Sequence, residues 1–176
     1  MRRQGANARF STYLPGMVEL LDFRRGGPLD PPRLLPPLPQ GPGPTGGWLT
    51  ELPPEPPWLV AMWGATCWYC KKGLVGLAPV ARERGIPLVG LHVPEFPVDE
   101  EEGFPERVLE ELGIPVGTEG IYYHRDARAW AELVEMRFWP TFLVVDRERK
   151  ATYVLIGWAG EDRPYREMLE AIDRVL

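Results

Sequence analysis

Six apolar residues, Trp58-Leu59-Val60-Ala61-Met62-Trp63, run without interruption, and Cys67-Trp68-Tyr69-Cys70 follows four positions later. A run this short and this apolar predicts a strand buried on both faces, the kind that lies inside a sheet covered by other elements. A helix is expected to start at the cysteines. Gly73, Gly76 and Pro79 are expected to loosen or kink it, and Gly85 with Pro87 just beyond to end it. Ile86 to Val93 reads as a second buried strand, which closes a right-handed, parallel strand-helix-strand unit.

Downstream, the acidic segment Asp99 to Gly113 carries Val108, Leu109 and Leu112 at helical spacing and predicts a surface helix starting near Pro105. Asp126 is a good N-cap for a further helix burying Trp130, Leu133 and Val134. Thr141–Val145 and Ala151–Ile156 flank the polar turn Asp146 to Lys150, a hairpin pattern. A last helix, about Arg163 to Leu176, places Met168, Leu169, Ile172 and Leu176 on one face. The order β-α-β, an insert, then β-β-α predicts an α/β fold with a central mixed sheet flanked by helices on both faces.

Ahead of this core, residues 28 to 57 contain 12 prolines, whose fixed φ and missing N–H exclude helix and interior strand. The segment is a linker or a wrapped extended arm, with recognition by a polyproline-reading domain as an alternative. Met17–Leu21 fits a short edge strand or a helical turn. We divide the chain into an N-terminal extension with its proline-rich arm, 1–47, and a domain over 48–176.

A net charge of −5 gives no electrostatic footprint for nucleic acid or anionic membrane. No stretch approaches the roughly 20 apolar residues that span a bilayer, and the polar start lacks an apolar signal region, so no membrane insertion is expected. As written the sequence predicts a cytoplasmic protein, or an extracytoplasmic one if the true start lies elsewhere. Seventeen arginines against three lysines, 21 prolines and one asparagine suit a thermophile or a GC-rich genome.

Two cysteines are too few for a disulfide scaffold, and structural zinc usually takes four thiolate or imidazole ligands; a redox pair remains, with no metal and no cofactor expected. At a strand-to-helix junction the Cys67 sulfur meets the first free N–H groups and the positive end of the helix dipole, which favours thiolate over thiol. Thiolate is the nucleophile in disulfide exchange, and Cys70, one turn on, is placed to resolve the mixed disulfide. Trp68 and Tyr69 supply no imidazolium, which predicts a less oxidising couple than one with histidine between its cysteines, with Lys71 and Lys72 acting in the opposite direction. The competing reading is two ordinary buried cysteines three apart.

Trp63-Gly64-Ala65-Thr66-Cys67-Trp68-Tyr69-Cys70 resembles the Trp-Ala-x-x-Cys-x-x-Cys active site of thioredoxin-like proteins, and Trp139-Pro140-Thr141 resembles their cis-proline loop. Pro140 stands 73 positions after Cys67, a spacing that resembles the TlpA-like branch, with its extra helix and strand. Leu91-His92-Val93-Pro94-Glu95-Phe96 and Phe138-Trp139-Pro140 are similar to segments of TlpA-like domains found alone or on DipZ-type membrane proteins. The resemblance spans about Trp48 to Leu176. It implies a thioredoxin-like fold with a helix-strand insert and a thiol-disulfide oxidoreductase in which Cys67 attacks and Cys70 resolves. It also implies a cis Pro140, with the backbone of Trp139 pairing with substrate.

Two positions depart from the family. Thioredoxin-like proteins often carry an acid six before the first cysteine, and TlpA-like ones a glutamate three after the second; here Ala61 and Gly73 stand there. Glu95 and His92, at the carboxyl end of the strand expected beside the one feeding Cys67, are candidate proton-relay groups. Trp68, Tyr69, Trp139 and Pro140 are candidate substrate-binding residues, and Trp63 is expected in the core. The expected partners are protein thiols or disulfides and a dithiol electron donor, met by a monomer. The alternatives are a thiol peroxidase of the same fold, disfavoured because Thr66 is adjacent to Cys67, and a non-catalytic redox-sensing or metal-handling module.

Overall fold

Strand β2, Trp58–Trp63, is buried at all six positions. In the computed structural model, which describes residues 25–176, it occupies the middle of a six-stranded mixed sheet. The Met17–Leu21 segment lies outside the described residues. β2 pairs in parallel with β3, Leu88–His92, and antiparallel with β5, Thr141–Val145. β6, Lys150–Ile156, returns from β5 around the Asp146 turn, whose carboxylate accepts the N–H groups of Glu148 and Lys150, both at 2.9 Å. β1, Gly26–Leu34, and β4, Ile121–His124, form the edges, giving the order β1-β6-β5-β2-β3-β4.

Strand alternation sends the two sides of β2 into two cores. Leu59, Ala61 and Trp63 pack with α1, Trp68–Arg84, with α4, Arg163–Val175, and with Val108 and Leu109 of α2, Phe104–Glu111. Trp58, Val60 and Met62 face the opposite layer, made by α3, Arg128–Leu133, and by the proline-rich arm. The insert between β3 and β5 thus supplies α2, β4 and α3.

The arm is wrapped onto the sheet. β1 pairs with β6 at Gly26–Pro28 and again at Arg33–Leu34, with a break between them. An edge tolerates this, because a proline there gives up no interior ladder bond. Leu29, Leu35 and Leu38 of the arm are buried in the second core. Prolines donate nothing but keep their carbonyls, and three indoles use them: Trp130 donates to Pro37 at 3.0 Å, Trp48 to Pro39 at 2.8 Å and Trp58 to Pro54 at 2.7 Å.

Two helical expectations need correction, on α3 and α4. α1 is one helix through Gly73, Gly76 and Pro79 and ends, as expected, at Gly85, whose φ of 71° caps it. Its glycines are sites of close approach: a Cβ at Gly73 would lie 2.5 Å from Phe142 Cζ, and one at Gly76 2.5 Å from Trp158 Cζ2. α3 begins after Asp126, which accepts the Arg128 N–H from ahead of the helix, and while Trp130, Ala131 and Val134 are buried, Leu133 is 50% exposed. On α4 the buried face ends at Val175, and Leu176 is exposed. Among the described residues no helix is long and apolar enough to cross a membrane.

Candidate active site

Beyond Trp63 the chain turns through Gly64-Ala65-Thr66 into α1, and side chains from the β3 end hold the turn. Val93 N–H donates to the Trp63 carbonyl at 2.7 Å, extending the β2–β3 ladder by one bond. The next two free backbone donors go to side chains: Ala65 N–H to His92 Nε2 at 3.1 Å and Thr66 N–H to Asp99 Oδ1 at 3.0 Å. Cys67 N–H closes back on the Gly64 carbonyl at 3.1 Å.

Cys67 is the N-cap of α1, with extended backbone (φ −81°, ψ 113°), and its sulfur accepts the Cys70 N–H at 3.1 Å. It forms a disulfide with Cys70. The two sulfurs differ in access: Cys67 is half-buried and Cys70 is fully buried at the top of the first core. Trp68 and Tyr69 between them are exposed, and Lys72 sits 5.0 Å from the Trp68 ring centroid.

His92 is buried, edge-on to Trp63 with centroids 4.9 Å apart. Its Nδ1 is 2.8 Å from the Arg125 carbonyl, which can only accept, so Nδ1 carries the proton and Nε2 accepts from Ala65. Burial pushes its pKa down, against the Arg125 carbonyl and the Asp99 charge. Both ring nitrogens are therefore occupied. His124 is engaged in the same manner, between the Gly41 carbonyl and the Asp126 N–H, and its pKa is likewise lowered by burial.

Asp99 is a site residue that sequence reasoning missed. Its carboxylate, with no exposed surface, accepts four bonds: Thr66 N–H, Thr66 Oγ1 at 3.2 Å, Glu95 N–H at 2.9 Å and Phe96 N–H at 3.0 Å. An acidic run from Asp99 to Glu102 reads as solvated surface. The available signal was Phe96-Pro97-Val98-Asp99, a proline-started turn with an acid three residues after its cap. Glu95 lies on this loop with an exposed side chain; partial burial, then the Asp99 charge, raise its pKa.

The Trp139–Pro140 peptide bond is cis. Pro140 is buried, and its carbonyl accepts the Gly157 N–H at 2.9 Å. Trp139 is half-buried and donates Nε1–H to the Val93 carbonyl at 2.9 Å, which lays its ring against Gly64. Trp63 is in the core. The β3 loop, the α1 start and the Trp139–Pro140 loop thus meet around the Gly64–Cys67 turn, with Phe96 and Phe138 exposed beside them. The two positions lacking acids are filled by packing: Ala61 is buried opposite Phe142 and Gly90, and Gly73 lies under Phe142.

No family profile and no curated protein sequence matches the chain. Solved structures do. A thioredoxin-like protein in its oxidised form superposes with a TM-score of 0.56 at 19% identity, over 79% of this chain and 93% of that one. A DsbF homologue from Corynebacterium diphtheriae gives 0.52 at 19% identity, over 66% and 69%. A secreted thiol-disulfide isomerase from Corynebacterium glutamicum gives 0.51 at 14% identity, over 66% and 68%. The chain has a thioredoxin-like fold, with its Cys67–Cys70 disulfide of the Cys-x-x-Cys kind where the central strand hands over to the first long helix.

Proposed function

We propose that the protein is a TlpA-like thiol-disulfide oxidoreductase acting as a monomer on protein substrates. The observation that carries this reading is the unequal access of the two sulfurs: Cys67 half-open at a helix N-terminus, Cys70 closed behind it. In the reductive direction the Cys67 thiolate attacks one sulfur of a substrate disulfide and the other leaves as thiolate. Cys70, deprotonated, then attacks Cys67, the substrate departs as a dithiol, and two electrons have passed to it. A dithiol donor restores the reduced pair by the same exchange in reverse.

Trp68, Tyr69 and the backbone of Trp139 beside Pro140 receive the substrate chain. Glu95 takes the Cys70 proton, its raised pKa bringing it nearer to neutral pH than an ordinary glutamate. His92, with both nitrogens occupied, serves by holding the turn.

The test is reduction of insulin disulfides with dithiothreitol as donor. Wild type accelerates it and Cys67→Ser stays at the uncatalysed rate. Equal rates for the two proteins would remove this function, and sustained peroxide turnover in place of insulin reduction would favour a thiol peroxidase.

A further inference from the structure

The residue before the attacking cysteine is held twice by one buried carboxylate. Asp99 accepts both the N–H and the hydroxyl of Thr66, and its other partners are the N–H groups of Glu95 and Phe96. Four donors and no acceptor converge on it, a set that a carboxylate satisfies and a protonated acid does not. The Arg125 guanidinium is paired with Glu106, and Arg128 with Asp126 and Glu100. Asp99 forms no ion pair among the described residues, so its charge is balanced by dipoles alone.

We propose that Asp99 is a positioning residue that locks the Cys67 turn to the β3 loop and, by its charge, disfavours the Cys67 thiolate, keeping the Cys67/Cys70 couple on the reducing side. The inference rests on the disulfide-exchange reading for its biological use, but not for its measurement. Asp99 is hydrogen-bonded to the residue that precedes Cys67, and the carboxylate itself is buried, where a charge acts at greater strength than in water. The other titratable groups around the turn are Lys71 and Lys72 on α1, Glu95 and Glu100 on the loop, His92 on β3, and Arg125 and Asp126 past β4. The lysines favour the thiolate, and Asp99 opposes them from the buried side. Its charge also helps raise Glu95, so one carboxylate tunes the nucleophile and the candidate proton acceptor together.

The experiment compares wild type with Asp99→Asn, which keeps the shape, removes the charge and turns one of the two acceptor atoms into a donor. The Cys67 thiol is titrated by thiolate absorbance, and the dithiol/disulfide pair is equilibrated with glutathione. The expected result is a Cys67 thiolate fraction about tenfold higher below its midpoint, and an equilibrium constant moved about tenfold towards the oxidising side, about 30 mV for this two-electron couple. A merely structural Asp99 would lower the melting temperature and leave both readouts in place, and that outcome overturns the proposal. Should Asp99→Asn not fold, the reduced wild type decides: the Asp99 carboxyl carbon resonance must shift at the pH where Cys67 ionises and must lose that step in Cys67→Ser. A flat resonance in wild type sinks the idea. Neither measurement uses a protein substrate, so failure to reduce insulin would remove the functional reading and leave this one standing.

Discussion

His92 accepts the Ala65 N–H through Nε2 at 3.1 Å, while its Nδ1–H donates to the Arg125 carbonyl at 2.8 Å. One buried ring thus bridges the active-site turn and the loop after β4. His92→Ala leaves a buried donor and a buried acceptor without partners and opens a cavity beside Trp63. We expect a loss of about 3 kcal/mol in denaturant unfolding. Amide exchange at Ala65 should accelerate far more than at residues of β2, such as Val60. Unchanged protection at Ala65 would contradict the bridging role.

Gly76→Ala sets two effects against each other. Alanine in a helix interior gains about 1 kcal/mol over glycine, whereas overpacking a core costs about 1–3 kcal/mol. The new Cβ would lie 2.5 Å and 2.9 Å from two atoms of the Trp158 ring, itself packed edge-on to Phe142 and Tyr165. Packing wins, and the variant should be less stable than wild type. Shrinking Trp158 to Leu should reverse the sign of the Gly76→Ala effect, which a double-mutant cycle reads directly. The same contact logic explains why no acid stands three after Cys70: Phe142 occupies the space that a side chain at Gly73 would need.

What the chain declares locally was legible. β2, β3, β5 and β6 are apolar runs bounded by turns, and a Cys-x-x-Cys at a strand-to-helix junction has one obvious geometry. β1 was hidden because Pro28, Pro31 and Pro32 deny it a continuous ladder, and only β6 beside it makes it a strand. β4 has four residues, too few for a period. Leu133 misled because an apolar residue beside a buried face need not belong to it: Trp130, Ala131 and Val134 are buried and Leu133 is not. Asp99 was the harder case: it lies in the loop after β3, at the head of an acidic run that gives no sign of burial. The sequence marks Glu95 as the acid of that loop, but the buried one lies four residues on.

The arm is held by indole donors to proline carbonyls, which predicts small, separable costs. Trp130→Phe keeps most of the ring and removes the N–H that reaches Pro37, for about 1 kcal/mol. Starting the chain at residue 48 is a different matter. It strips Leu29, Leu35 and Leu38 from the second core at about 1.5–3 kcal/mol each, a large part of the roughly 5–15 kcal/mol that a domain possesses. A 48–176 fragment should therefore melt well below the full chain or fail to fold by circular dichroism. Equal melting temperatures would show that the arm is dispensable to the sheet.

Stability should fall on mild acidification, within the range where most carboxylates are still ionised. His92 and His124 both have folded pKa values pushed down by burial, while an unfolded histidine titrates near about 6.5. Above that pH both rings are neutral in either state and their contribution is complete. As the pH drops through about 6.5 towards the folded values, the unfolded chain binds two protons that the native one refuses. Each histidine then removes up to about 1.4 kcal/mol per pH unit. Glu95 works in the opposite sense, since a raised folded pKa stabilises at low pH and that contribution fades as the pH rises; its exposure keeps the effect small. Asp126, which burial alone would raise, is held below its usual value by bonds from Arg128 and Thr45, so its loss begins only in stronger acid. Urea unfolding at pH 7.5, 6.0 and 5.0 should therefore show a falling midpoint. His124→Gln should remove about half of the slope, and a midpoint flat across that interval would mean that the two rings are not held neutral by the fold.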